Sequence, residues 1–222
     1  MVRVNAIEVE NVFLTIQKDA ILKDISVSFE SGKIHGLIGR NGSGKTMLMK
    51  CICGFIKPTR GRITVNGKVI GKDCDFPEDV GIIIESPGFV PYYSGIKNLR
   101  LLAGLNKKIS EEQIRQSMTR VGLDPDLKRH VKKYSLGMRQ RLGLAQAMME
   151  YPSVLILDEP MNGLDKDGVA DMRDYLKELR SENRTVLITS HIMEDISILC
   201  DTVHEMEKGT LHSCTRQTTP GS

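Results

Sequence analysis

No long apolar run occurs in this chain. The longest stretch free of Asp, Glu, Lys and Arg covers residues 86–96, holds two prolines and two glycines, and falls well short of the ~18 apolar residues that a membrane span requires. A bilayer-crossing segment is therefore not expected. The start, Met1-Val2-Arg3-Val4-Asn5, lacks the apolar core and small-residue cleavage site of a secretory signal, and the expectation is a cytoplasmic protein. Cysteine is sparse: Cys51, Cys53, Cys74, Cys200 and Cys214 are scattered and odd in number, with no second pair to complete a four-ligand site. Buried reduced thiols are expected, and neither a disulfide framework nor zinc. Neither charge sign dominates. Thirty-one basic and 28 acidic residues leave a formal net charge of +3, too slight to draw a long polyanion, so no nucleic-acid partner is expected. Repeats of solenoid period and linkers rich in Gly, Ser or Pro are missing as well.

What is present suits a packed domain. The 222 residues are 40% hydrophobic and 27% charged, close to globular averages, and a chain of this length buries roughly two thirds to three quarters of its unfolded surface. Its periodicity changes along the way. Residues 7–85 carry short β-branched runs at 21–29, 34–38, 62–65 and 80–84, punctuated by glycines and by a hairpin-type Asn66-Gly67. Residues 95–150 turn helical: Ser110 and Gln113 form a capping box, after which Ile114, Met118 and Val121 fall on one face. From Ser153 onward strands and helices alternate. Runs at 154–157 and 185–189 flank a helix carrying Val169, Met172, Leu176 and Leu179 on one stripe. Such alternation implies a parallel sheet with covering helices.

Chemistry concentrates at the ends of these strands. Gly39-Arg40-Asn41-Gly42-Ser43-Gly44-Lys45-Thr46 fits G-x-x-x-x-G-K-[ST], directly after the run 34–38 and before a helical stretch at 47–55. Its glycines let backbone N–H groups and a helix N-terminus curl around phosphate oxygens, while Lys45 reaches the β and γ phosphates and Thr46 reaches Mg²⁺. The apolar run 154–157 ends in Asp158 and Glu159, and ligands of parallel sheets bind outside the carboxyl ends of strands. Asp158 is placed to hold the Mg²⁺, and Glu159 to orient or deprotonate the water attacking the γ-phosphate. The run 185–189 delivers Ser190 and His191, and the run 80–84 delivers Glu85, so four strands bring polar groups to one edge. His191 follows a buried-looking strand and is placed to contact the γ-phosphate or the attacking water.

In their order these motifs resemble the ATP-binding subunits of ABC transporters, over nearly the whole chain. Tyr134-Ser135-Leu136-Gly137-Met138-Arg139-Gln140 is similar to the family's signature motif, Asn162-Gly163-Leu164-Asp165 to its D-loop, and His191 to its switch histidine. Ser135 and Gly137 open a helix running to about Glu150, so a serine hydroxyl and exposed N–H groups make an anion site. The resemblance implies an α/β fold: a P-loop NTPase core with a mainly parallel sheet, an N-terminal antiparallel β region and an inserted α-helical subdomain. The core takes residues 1–85 and 152–222, and the insert takes 86–151 with the signature residues Ser135, Leu136, Gly137 and Met138. ATP and Mg²⁺ follow as ligands, the metal held by Thr46, Asp158 and Glu85, with Glu159, His191 and Lys45 as catalytic groups. Two copies are expected head to tail, each ATP lying between one copy's residues 39–46 and the other's signature helix, with Asp165 in the D-loop. An integral membrane permease subunit is the further partner, which places the protein on the inner face of the cell membrane.

Three positions depart from the family pattern. Leu136 stands where Gly is usual, Glu85 where Gln is usual, and aliphatic Ile16 where an aromatic usually covers adenine, which leaves Phe13 as the other candidate. A carboxylate at position 85 adds negative charge near a triphosphate. The run Glu85-Ser86-Pro87-Gly88-Phe89, with 134–138, resembles the subgroup that exports peptide antibiotics, including bacitracin and lantibiotics. Phe89-Val90-Pro91-Tyr92-Tyr93 is uncharged and reads as a docking patch for a cytoplasmic helix of the membrane subunit, or, if buried, as a minor core of the helical part. The expected activity is hydrolysis of ATP to ADP and phosphate. The alternatives are a nucleotide-gated regulatory module and a non-transport ATPase of the same family.

Overall fold

Alternating burial builds the first two strands. β1 (Asn5–Ile16) turns Ile7, Val9, Val12 and Leu14 inward and pairs antiparallel with β2 (Asp19–Glu30). The computed structural model describes residues 4–85, 88–106 and 109–214. After β2 come β3 (Ile34–Ile38), the helix α1 (Lys45–Ile52), β4 (Arg60–Val65) and β5 (Lys68–Val69). The β4–β5 hairpin turns through Asn66 and Gly67, both at positive φ, as the dipeptide requires. Next are β6 (Val80–Ile83), α2 (Gly95–Asn106), α3 (Glu111–Arg120), a 3₁₀ turn at Val131–Lys133 and α4 (Leu136–Met148). The chain closes with β7 (Val154–Leu157), α5 (Lys166–Ser181), β8 (Thr185–Thr189), α6 (Met193–Leu199), β9 (Thr202–Glu207) and β10 (Thr210–Cys214).

Two sheets result. The antiparallel one has the order β2-β1-β4-β5, and the other, six-stranded, has the order β10-β9-β3-β8-β7-β6. In the second sheet β9, β3, β8, β7 and β6 all run parallel, so their carboxyl ends share one edge. β10 departs from the expected strand–helix alternation: it folds straight back on β9 through Lys208 and Gly209, both at positive φ. The P-loop NTPase core, the antiparallel region and the helical insertion all match the expected fold class.

β7 and β8 are buried along their whole length, and period-two alternation sends their side chains into two cores. Val154, Ile156 and Leu187 meet Leu48, Met49 and Ile52 of α1 and the inner face of the antiparallel sheet. Leu155, Leu157, Val186 and Ile188 meet α2 to α6 on the opposite face. The Ser110–Gln113 capping box forms as read, with both reciprocal hydrogen bonds, and Ile114, Met118 and Val121 are buried. Cys51, Cys53 and Cys200 are buried, free thiols; burial pushes Cys51 up to about 11, and burial with the neighbouring Cys51 pushes Cys53 to about 12, which makes both poor nucleophiles. Cys74 is only half-buried, and the side chain of Cys214 lies outside the described residues.

The two sheets are pinned together by Phe29, whose ring takes His35 edge-on at 5.2 Å and His204 at 5.4 Å. Burial lowers the pKa of both histidines, that of His204 to about 4. The neutral ring is thus the folded form, while the unfolded chain takes up a proton near pH 6.5. Stability is full above pH 6.5 and is lost as the pH falls toward 4. A thermal melt at pH 5 should lie several degrees below one at pH 7, and His204→Gln should flatten that dependence.

Candidate functional site

The segment between β3 and α1 closes into a cradle. Gly39 sits at φ 141, and a Cβ there would lie 2.2 Å from the carbonyl oxygen of Met206 and 2.8 Å from Ser43 Oγ, so only glycine fits. Lys45, 8% exposed, folds its ammonium back to donate to the carbonyls of Gly39 (2.7 Å) and Arg40 (3.2 Å). Ser43 Oγ is buried with no hydrogen-bond partner among the described residues. A stranded hydroxyl is costly unless a ligand satisfies it, and here it sits in the turn just before α1, two residues from Lys45. An anion fits that chemistry. Arg40, Asn41 and Gly42 form the exposed outer turn, and Gly44 caps α1.

From α1 a chain of contacts crosses the sheet edge. Thr46 Oγ1 donates to Asp158 Oδ2 at 2.9 Å. The other carboxylate oxygen of Asp158 accepts from Thr189 Oγ1 at 2.6 Å, and the same hydroxyl accepts from the Glu159 N–H at 2.8 Å. Thr189, fully buried at the end of β8, therefore clamps both acids with one oxygen. Glu159 takes a left-handed backbone, φ 51, and its Oε2 lies 2.8 Å from His191 Nδ1. A proton on Nδ1 makes that a donor to the carboxylate and leaves Nε2 free to face a ligand. Gln140, from α4, donates to the Pro160 carbonyl at 3.2 Å and the Glu159 carbonyl at 3.4 Å, tying the helical lobe to the same segment.

Glu85 is placed differently. Its side chain is 64% exposed and its Oε1 lies 2.6 Å from Lys50 Nζ, one helical turn beyond Thr46. The negative charge expected at this position is thus neutralised from within the chain. Ser190 also differs from expectation: it is buried, and its hydroxyl turns away from the site to Asp195. β8 ends at Thr189, so Ser190 and His191 lie in the turn that follows it, which buries Ser190 and leaves His191 exposed.

At the start of α4, Ser135 accepts from the Met138 N–H at 3.1 Å, an N-cap that leaves the helix end open. Gly137 is required by close approach: a Cβ there would lie 2.6 Å from the Gly163 carbonyl. Leu136, 56% exposed, lies over Gly163, and Met138 packs partly into the core. Asp165 caps α5 by accepting from the Gly168 N–H at 3.0 Å and lies 3.5 Å from Arg141 of α4. The signature-like start and the segment 162–165 therefore touch within one chain. Ile16 is exposed at the end of β1 and Phe13 is half-buried.

The uncharged run 89–93 is split. Phe89 packs on the helical core, Val90 and Tyr92 are exposed, and ammonium groups cover two rings, Lys132 over Tyr92 at 4.2 Å and Lys97 over Tyr93 at 3.9 Å. Ser86 and Pro87 lie outside the described residues. Beside the run, a groove of about 770 Å³ opens along the edge strand β6 and is lined by Phe55, Phe76, Leu102 and Leu105.

A family model described as ABC transporter matches residues 22–162. An uncharacterized ABC transporter ATP-binding protein, YybJ of Bacillus subtilis (strain 168), is 46% identical over 93% of this chain and 95% of its own length. The chain belongs to the ABC transporter family. Among its ABC relatives, the bacitracin transport ATP-binding protein BcrA of Enterococcus faecalis is 38% identical over 95% of this chain and 69% of its own length. The solved structure of the ATP-binding cassette MJ0796, a dimer in a post-hydrolysis state bound to ADP and Pi, superposes with a TM-score of 0.84. It covers 95% of this chain and 99% of that one at 18% identity, so what it shares with this ABC protein is the fold. No described helix is long and apolar enough to cross a membrane.

The site also fits a metal of the hard, oxygen-seeking kind. Among the described residues no cluster of three or more His, Cys, Asp or Glu side chains forms a metal cage. Mg²⁺ does not need one: it usually takes one or two protein oxygens, with water and substrate phosphates completing the shell. Thr46 Oγ1 and Asp158 Oδ2, already within 2.9 Å of each other, suit that role.

Proposed function

We propose that this ABC subunit binds and hydrolyses ATP and that the cycle drives a separate membrane-spanning partner. The observation that carries this reading is the unbroken set of contacts from the phosphate-type loop through Thr46, Asp158 and Thr189 to Glu159 and His191. Residues 39–46 take the triphosphate. Lys45 exchanges two carbonyl partners for the β and γ phosphates, and Ser43 Oγ gains the acceptor it lacks. Thr46 and Asp158 would hold Mg²⁺, which would supply positive charge to offset that of the triphosphate. Glu159 aligns the water and takes its proton, while His191 holds the Glu159 carboxylate in place and turns Nε2 toward the γ-phosphate. Glu85 would be available as a further ligand to the metal only if its ion pair with Lys50 opened.

The second phosphate surface, at Ser135 to Met138, completes the site of another copy. An isologous pair lets one sequence supply both halves of two sites, and the dimeric relative supports that arrangement. In this reading residues 1–85 and 152–222 form the nucleotide core and 86–151 the lobe that carries the signature. The membrane subunit seats an amphipathic cytoplasmic helix in the groove along β6, where Phe55, Phe76, Leu102 and Leu105 supply an apolar floor. The protein thus sits on the cytoplasmic side of the membrane. The transport relative favours a peptide antibiotic such as bacitracin as cargo.

Steady-state phosphate release by the purified chain, alone and with its membrane subunit, tests the reading. The expected result is ATP hydrolysis that stops when divalent cations are chelated. Absence of hydrolysis in an active membrane complex would overturn it.

A further inference from the structure

We propose that Arg173, Asp195 and Ser190 form a positioning relay that sets His191 against Glu159. The proposal rests on the hydrolytic reading of the site for its consequence but on separate residues for its geometry. Asp195 is fully buried on α6, four residues after His191. Its Oδ1 accepts two hydrogen bonds from one guanidinium, Arg173 Nε at 2.9 Å and Nη2 at 2.5 Å. Its Oδ2 accepts from Ser190 Oγ at 3.2 Å. That hydroxyl in turn accepts from the Ile192 N–H at 3.0 Å, closing a turn whose middle residue is His191. Arg173 also reaches Glu194 at 3.2 Å, so it grips the first turn of α6 at two points.

The relay explains why an exposed side chain can be held. His191 itself is 63% exposed, and its only recorded side-chain partner among the described residues is Glu159. Packing does not fix it. What is fixed is the backbone on either side, because Ser190 faces into the protein and is bound from below by the buried Asp195, itself paired with the half-buried Arg173. A buried carboxylate keeps its place only while its partner stays, so the position of Arg173 on α5 is read out at His191. α5 begins at Lys166 and is capped by Asp165, which lies against Arg141 of α4. The cap of α5 lies in the D-loop segment, so a shift there moves Arg173 and, through Asp195 and Ser190, the histidine.

Ser190→Ala, Arg173→Lys and Arg173→Met test this, each alone and combined with His191→Ala. Ser190→Ala and Arg173→Met should lower kcat about tenfold with the KM for ATP unchanged within twofold, because a misplaced group weakens the reacting geometry and not the phosphate cradle. Arg173→Lys, which keeps the charge and loses the fork, should retain part of the rate. In the His191→Ala background the same changes should cost nothing further, since the relay acts through that ring. A full second loss on top of His191→Ala would overturn the relay, as would unchanged kcat in Ser190→Ala. A second readout needs no turnover: the ¹⁵N shift of His191 Nδ1 in nucleotide-free protein reports its bond to Glu159. It should move in Ser190→Ala and stay put in Lys177→Ala, whose partner Asp174 lies elsewhere on α5. An unmoved shift in Ser190→Ala sinks the relay even if the chain proves not to hydrolyse ATP.

Discussion

Glu159→Gln should lower ATP turnover by about 10²–10⁴-fold, the range that a positioned general base supplies, while ATP binding is retained. The substitution keeps shape and hydrogen-bonding reach, so the amide still meets His191 Nδ1 where the carboxylate lay at 2.8 Å. What disappears is the proton acceptor and one negative charge beside the triphosphate. Both changes favour the loaded state: hydrolysis no longer drains it, and the repulsion that helps open the pair is weakened. An ATP-dependent dimer should therefore accumulate and be visible by size-exclusion chromatography. If the variant turns over at the wild-type rate, Glu159 is not the base.

Lys45→Ala should act on binding itself. Lys45 is nearly buried, and among the described residues its ammonium donates to two backbone carbonyls in the nucleotide-free chain. Those partners are replaceable by water once the side chain is gone, so folding should survive. Toward ATP the loss is larger, because charge-assisted hydrogen bonds contribute about 1.5–3 kcal/mol each and a cation is removed from between two phosphates. A loss of about 2–4 kcal/mol corresponds to roughly 30- to 1,000-fold weaker ATP affinity. Equilibrium titration with a fluorescent ATP analogue measures it. Affinity within a factor of about three of wild type would remove Lys45 from the triphosphate site.

Much of this was legible in the chain because it is local. The capping box at Ser110 and Gln113, the turn at Asn66-Gly67 and the curled loop at 39–46 each depend on neighbours a few residues away, and each forms as read. The parallel sheet was visible for a related reason: β7 and β8 are apolar on both faces and carry no alternation to mislead. What escaped depended on partners far along the chain. Lys50 neutralises Glu85 across 35 residues, and Gln140 reaches Glu159 from another lobe. Thr189 escaped because a threonine at the end of a β-branched run reads as strand propensity.

In the proposed cycle each ATP is held between two copies, by residues 39–46 of one and the helix start at Ser135 of the other. Mixing two inactive variants tests it most directly. Lys45→Ala leaves a sound signature surface, and Ser135→Glu leaves a sound phosphate loop while setting a repelling charge where the second copy's triphosphate would lie. Each should be nearly inactive alone. In an equimolar mixture half of the pairs are mixed and each mixed pair has one intact site, so ATPase activity should return to about a quarter of the wild-type rate. A mixture no more active than its components would contradict a site shared between copies.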